Sequence, residues 1–312
     1  MISRPMKAPS EGVSIEILQQ MAYPTIACSA KLDGIRGVIT PAGVMSASLK
    51  PLGNRFMQNC LCHPALHGLD GELVVGLSHN DPSRPDDDVF NRTSSAIRRA
   101  SGEPDFTFYV FDDFTDPNRS YWDRWIKRIR TGLSFAFPRV QILEQRICNT
   151  FAEAMAYEEE LIAQGYEGMM ARSLTAPYKM GRTTINEGYI FKRKPLESDE
   201  AVVVGLFEQL ENQNEKVTNE LGNSTRSSHK ENKVGKGILG GVTLRSSRWK
   251  ETFNCGTIIG GTYEWRQKMW DNPDRIMGQT MTYIYQAYGS IDKPRQPRAK
   301  AEFRSKNDMT TY

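Results

Sequence analysis

No apolar run in this 312-residue chain approaches the roughly 20 residues needed to cross a bilayer. The opening "MISRPMKAPSEG" also lacks the apolar stretch of a secretion signal. Cysteine is scarce, at five residues, an odd number scattered along the sequence; this argues against a disulfide framework and for reduced thiols. A cytosolic protein is therefore expected, with no membrane partner. A Gly-x-x-x-x-Gly-Lys-Ser/Thr loop is missing, which excludes a P-loop nucleotide site. Histidine numbers only four, and cysteine and histidine gather only in "CLCHPALH", at Cys60, Cys62, His63 and His67. The C-x-C spacing without a second ligand pair argues against zinc.

What is present fits an ordinary globular protein of two domains, with 39% hydrophobic and 25% charged residues. The net charge of +3 is unevenly placed. Residues 1–198 hold 23 Lys+Arg and 23 Asp+Glu, and residues 199–312 hold 17 and 14, so the excess lies in the C-terminal third. That is a hint of a polyanionic partner. Between Lys216 and Lys250 the imbalance sharpens to eight basic residues against two acidic, within "KVTNELGNSTRSSHKENKVGKG". Such Ser/Asn/Gly-rich text equally describes a solvated loop.

The style of the sequence changes near Ser198. Before it, short β-like runs ("GVIT", "DGELVVG", "FTFYVFDDF", "EGMMAR", "EGYIFKRK") alternate with helical stretches, chiefly "RSYWDRWIKRIRTGLSFAF" and "NTFAEAMAYEEELIAQG". In the latter, Phe151, Met155, Leu161 and Ile162 are expected on the core face, with the acidic residues on another and Gly165 at the end. After Ser198 come strands without strong helices: "AVVVGLF", "ILGGVTLRS", "KETFNCG", "TMTYIYQAYG". The expectation is an α+β domain over 1–198 followed by a small β-barrel over 199–312.

Within the first domain, "CSAKLDGIRGVIT" sets Lys31 at the end of an apolar run, where burying a lysine costs free energy unless it has a task. The plain alternative is a packed aliphatic stem with its ammonium in water. Charged residues at other strand ends weigh against it: Glu72 in "LDGELVV", Asp112 behind Phe111 in "FYVFDDF", Glu167 in "YEGMMAR", and Lys192 and Lys194, two apart and so on one strand face, in "YIFKRKP". Together they describe a pocket of three lysines and carboxylates suited to a triphosphate and a divalent metal, with an aromatic face for a base. A lysine deprotonated by nearby positive charge can attack phosphorus and form a phosphoramidate. Lys192 and Lys194 could supply that charge, while Asp33 and Glu167 hold the metal.

The ordered stretches "KLDGIR", "DGEL", "YVFDDF", "EGMMAR" and "IFKRKP", with "YKMGRTTINEGY" before the last, resemble those of covalent nucleotidyltransferases. Within that superfamily the chain is most similar to the small ATP-dependent DNA ligases of phages and large DNA viruses. The resemblance spans residues 27–194 and implies that Lys31 takes AMP from ATP as lysyl-AMP. It also implies that Arg36 contacts the nick's terminal nucleotide, Glu72 the ribose, Phe111 the adenine face, Glu167 the catalytic magnesium (manganese possible), and Lys192 and Lys194 the α-phosphate, with Arg182 a further phosphate contact. The second domain becomes an oligonucleotide-binding (OB-fold) barrel on nicked duplex DNA, expected to grip phosphates with strong salt dependence and little sequence preference. Arg226, Lys230, Lys233 and Lys236 would line a DNA-contacting loop, and the domains would close on the substrate. A monomer without an obligate protein partner is expected.

One departure stands out. The family carries Ser-Arg shortly after the first motif, and here "MSASLKPLGN" has Ala47, so either Lys50 or Arg55 substitutes at the nick's 5′-phosphate or the nick-joining steps are impaired. In the basic tail "PRQPRAKAEFRSKNDM", the role of orienting pyrophosphate would fall to Arg304 or Lys306. Rival readings are an mRNA capping guanylyltransferase using GTP, an RNA ligase, and a non-catalytic nicked-DNA binding protein, which would have no use for Lys31.

Overall fold

The structure, a computed structural model, describes residues 2–10, 12, 25–80, 88–126, 137–218, 224–227, 232–286, 290 and 292–304. The chain forms two compact units, Met1–Pro195 and Leu196–Tyr312. The division falls three residues before Ser198 because one long strand begins at Leu196.

In unit 1 the strands are β1 (Ile26–Ala30), β2 (Ile35–Thr40), β3 (Gly43–Met45), β4 (Leu69–Val75), β5 (Phe106–Asp113), β6 (Val140–Ile142), β7 (Arg146–Cys148), β8 (Met169–Ser173) and β9 (Ile190–Arg193). The helices are α1 (Arg55–Leu61), α2 (Val89–Arg98), α3 (Tyr121–Arg124) and α4 (Phe151–Ala163). Two sheets result, of order β7-β1-β8-β9 and β3-β2-β4-β5-β6. All pairings are antiparallel except β5 with β6. Because β1 and β2 belong to different sheets, residues 31–34 are the chain's crossing from one sheet to the other. Gly34 belongs there because a Cβ would lie 2.1 Å from the Leu73 carbonyl oxygen.

Strand β4 is covered on both its faces. Leu69 and Leu73 pack with Ile39, Met57, Leu66 and Phe108, whereas Val74 packs with Cys28, Leu161 and Phe191. Helix α4 starts where Thr150 accepts from the Glu153 amide (3.2 Å) and Glu153 accepts from the Asn149 amide (2.8 Å), a reciprocal cap. It ends before Gly165, at φ +87°. Its buried residues are Ala154, Tyr157, Glu158 and Leu161, with Phe151 and Met155 half-buried. Ile162 is 40% exposed, against expectation, and Glu158 is buried, where it pairs with Arg193 of β9. The helix expected over 119–137 is present as α3, and residues 127–136 of it lie outside the described residues.

In unit 2 the strands are β10 (Leu196–Asn212), β11 (Lys216–Thr218), β12 (Ser224–Arg226), β13 (Lys233–Arg245), β14 (Phe253–Cys255), β15 (Thr257–Ile259), β16 (Thr280–Gln286) and β17 (Arg295–Arg304). Six of them form a sheet of order β14-β13-β10-β16-β17-β15, over a core that includes Leu239, Leu244, Phe253, Met281, Tyr283 and Tyr285. Its edges β14 and β15 are joined through Gly256 but carry no ladder between them, so closure into a barrel is not seen among the described residues. The unit also contains a helix absent from the sequence-based expectation, α5 (Tyr263–Asp271), capped by Thr262 accepting from the Trp265 amide (3.1 Å). It buries only Met269, which is why its sequence shows little apolar periodicity.

Candidate nucleotide site

Lys31 follows directly on β1, and its amide donates to the Gly168 carbonyl (2.9 Å). That close approach of two turns needs glycine after Glu167. Gly168 has φ +149°, and a Cβ would sit 2.2 Å from the Arg193 carbonyl oxygen. The arrangement sets the Glu167 carboxylate, 1% exposed, between two ammonium groups. Its Oε2 accepts from Lys31 Nζ and its Oε1 pairs with Lys194 Nζ. Burial alone would raise the Glu167 pKa, but Lys31 and Lys194 hold it below the ordinary carboxylate value. Lys194 is pushed down by burial and then by Lys31, and Lys192 by burial and then by Lys194, Lys31 and Arg182. Lys194 lies one residue past the end of β9, while Lys192 within it donates to the Ser10 carbonyl (2.7 Å).

A cavity of about 260 Å³ opens beside Lys31. Lys31, Arg36, Glu72, Phe111, Arg182 and Lys192 all line it, so six of the residues named from the sequence converge in unit 1. Glu167 and Lys194 stand behind, through the contacts above. Asp33, two residues from Lys31, is buried, and its charge is felt at Lys194. Lys50 and Arg55 are exposed and do not line the cavity. Half-buried Ala47 is in a turn closed by the Ser46 amide on the Lys50 carbonyl (2.8 Å).

Arg36 on β2 is fixed by partners that the sequence reading missed. Its Nε and Nη2 donate to buried Asp70 at 2.6 and 2.5 Å, Nη2 also reaches the Met6 carbonyl (2.8 Å), and Tyr178 Oη donates to the same carboxylate (2.5 Å). The guanidinium is thereby held 4.8 Å from the Phe111 ring centroid. Glu72, paired in register with Arg36, has its pKa pushed up to about 7 by burial, against the pull of Arg36 and Lys31. Behind Phe111, fully buried Asp112 accepts from Arg124 Nε (2.9 Å) and Arg172 Nη1 (2.5 Å). Arg172 also lines the cavity, 5.1 Å from the Phe111 centroid. Asp70, Asp112 and Arg172 all lie inside the quoted motifs; nothing in their spacing distinguished a bracing role from a turn-forming one.

In unit 2, Arg226 is exposed and donates to the Asn212 carbonyl (2.6 Å), Lys233 is half-buried, and Lys236 is exposed. Lys230 and Lys306 lie outside the described residues, as does the side chain of Arg304. Among the described residues no group of three or more His, Cys, Asp or Glu side chains is placed to hold a metal. His63 instead caps a helical turn, its Nδ1 accepting from the Ala65 amide (3.2 Å).

Residues 5–188 match the family profile described as ATP dependent DNA ligase domain. A probable DNA ligase of Mycolicibacterium vanbaalenii is 28% identical over 190 residues, 57% of this chain; the chain spans about a third (34%) of that relative's length. The structure of Chlorella virus DNA ligase-adenylate aligns over 99% of this chain and 100% of its own, at 24% identity and a TM-score of 0.52. A structure from work on Lig E DNA ligases aligns over 97% and 100%, at 18% identity and a TM-score of 0.69. Both likenesses establish the fold: an α+β unit built on sheets of the ligase nucleotidyltransferase type, together with a second unit.

Proposed function

The chain belongs to the ATP-dependent DNA ligase domain family, and from that premise we propose that it seals 3′-hydroxyl/5′-phosphate nicks in duplex DNA through a lysyl-AMP intermediate on Lys31. The observation that carries this reading is the Lys31–Glu167–Lys194 cluster, whose Lys31 lines a cavity together with Phe111, Glu72 and Lys192. A lysine bound to a buried carboxylate, beside a cation-rich hollow, is placed to attack a phosphate rather than to dissolve its charge in water.

In the first step Lys31 Nζ, having given a proton to water, bonds to the α-phosphorus of ATP as the bond to pyrophosphate breaks, and a second proton passes from the nitrogen to water as the phosphoramidate forms. Lys192 and Lys194 offset the charge that gathers on the equatorial oxygens. Phe111 offers a ring face to the base, and Glu72 an acceptor to the ribose. In the second step an oxygen of the nick's 5′-phosphate displaces Lys31 from the adenylate phosphorus, and the leaving nitrogen takes two protons back from water. In the third step the 3′-hydroxyl attacks the 5′-phosphorus and gives up its proton to water, a phosphodiester forms and AMP leaves. Magnesium takes few protein carboxylates and completes its shell with water and phosphate oxygens, so the hard oxygens of Glu167, with Asp33 near, fit it. When bound it would neutralise phosphate charge, and Glu167 would exchange its lysine partners for it.

Unit 2 is proposed as the OB-fold DNA-binding part, supported by its six-stranded sheet and by exposed Arg226 and Lys236. Nicked duplex is the proposed partner of a monomer, with Ala47 the point where nick binding departs from the family pattern. No helix among the described residues is long and apolar enough to cross a membrane. The family match favours DNA ligation over capping or RNA joining.

The test is incubation with magnesium and α-labelled ATP or GTP, followed by a chase with nicked duplex. Label from ATP only, lost on the chase with sealed product and absent in Lys31→Ala, is expected. Label from GTP would transfer the reading to capping, and no label from either would end the covalent mechanism.

A further inference from the structure

The residues that line the cavity include one that the sequence did not offer, Lys7. It lies on the N-terminal segment, which runs along the cavity wall and is tied there by the site's own cations. Arg36 donates to the Met6 carbonyl (2.8 Å), Arg182 to the Ala8 carbonyl (2.9 Å) and Lys192 to the Ser10 carbonyl (2.7 Å). The Lys7 backbone bonds to both sides of Arg182, its amide donating to the Gly181 carbonyl and its carbonyl accepting from the Thr183 amide, each at 2.8 Å. Met6 and Ala8 pack with Tyr178 and Ile190. The backbone on either side of Lys7 is therefore fixed, and its side chain is directed by built structure rather than by chance at a chain end.

The cations around this cavity differ in what they already hold. Lys31 is paired to Glu167, Arg36 to Asp70 and Arg172 to Asp112, while Arg182 and Lys192 donate to carbonyls. Among the described residues, no carboxylate or carbonyl is found on the Lys7 ammonium. Its surroundings are positive instead: burial, then Arg182, Arg36 and Arg4, push its pKa below the ordinary lysine value. A half-buried ammonium among guanidiniums favours an anionic partner, since a negative charge there relieves repulsion and desolvation together.

We propose that Lys7 binds a phosphoryl group of the nucleotide in this cavity, as a phosphate contact supplied by the N-terminal segment. The proposal rests on the nucleotide-site reading above and extends it to a residue outside the motif-bearing stretches. A phosphate oxygen would accept from Lys7 Nζ beside Arg182 and Lys192, so that the N-terminal segment and β9 hold the polyphosphate from two elements.

The experiment compares the full-length chain with Lys7→Met and Lys7→Arg. Self-labelling by α-labelled ATP is titrated, pre-adenylated protein is chased with nicked duplex without ATP, and melting shifts are measured with ATP and with adenosine, without magnesium. With Lys7→Met, the ATP needed for half-maximal labelling should rise about tenfold, as expected for one lost charge-assisted hydrogen bond. Lys7→Arg should recover most of that. The melting shift from ATP should shrink in Lys7→Met while that from adenosine is kept, and the chase should run at the unaltered rate. An unchanged ATP titration and melting shift in a folded Lys7→Met protein would overturn the proposal. A slowed chase with unchanged ATP dependence would give Lys7 to the nick's phosphate instead and also overturn it. Failure of the unaltered protein to take label, with ATP still stabilising it more than Lys7→Met, would sink the ligase reading and leave the Lys7 site standing. Should Lys7→Met not fold, Lys7→Arg and Lys7→Gln titrated with ATP decide in the same way.

Discussion

A glutamate beside a bound nucleotide can act as acceptor or repel phosphate, and for Glu72 the choice depends on pH. Burial raises its pKa to about 7, more than Arg36 and Lys31 can undo. The folded protein therefore holds this proton where the unfolded chain, with an ordinary carboxyl near pH 4.5, has released it. The sign follows: stability from this group is full below pH 4.5 and is lost as pH rises through about 7, after which the deficit is constant. Glu72→Gln, which cannot ionise, should melt alongside the unaltered protein at pH 4.5 and above it, by on the order of a few degrees, at pH 8. Melting curves at the two pH values check this; a gap that does not change with pH would show that Glu72 is ionised throughout. Glu167 behaves oppositely, because Lys31 and Lys194 keep it charged despite burial.

At the scale of elements, the aromatic wall of the site is only as firm as the end of β5. Asp112 there takes bonds from Arg124 at the end of α3 and from Arg172 on β8, so one carboxylate joins three segments behind Phe111. Its replacement by asparagine leaves two guanidiniums, 2% and 6% exposed, without their counter-charge. Asp112→Asn should lose about 3–5 kcal/mol of unfolding free energy in urea titration and weaken ATP binding through Phe111. A loss under about 1 kcal/mol would mean that water already shares the load. This brace also marks where the sequence was legible. Strands β4, β5, β8 and β9 could be read from apolar runs, and Lys31, Glu72, Phe111 and Lys192 from their positions at run ends. The partners Asp70, Asp112 and Tyr178 could not, since pairing across 34, 60 or 108 residues leaves no local pattern. Glu158 could not be read as inward because its partner Arg193 lies 35 residues away; α5 was hidden because one buried methionine gives no period.

Across the whole molecule, charge and chemistry are divided between the units. Unit 1 carries every residue that lines the cavity, and its buried charges meet in internal pairs such as Arg36–Asp70 and Arg193–Glu158. The basic excess lies in residues 199–312, on side chains such as Lys236 that face water. A lysine that grips DNA only through a phosphate releases a counterion when it binds, so its removal lowers the salt dependence of affinity rather than altering sequence preference. Lys236→Ala should therefore reduce the slope of log affinity against log salt for nicked duplex by about 0.9, leaving ATP labelling of Lys31 unchanged. Fluorescence titrations of labelled duplex between low and moderate salt measure the slope. An unaltered slope would remove Lys236 from the DNA surface, whereas a fall in labelling would show that this side chain serves the nucleotide step.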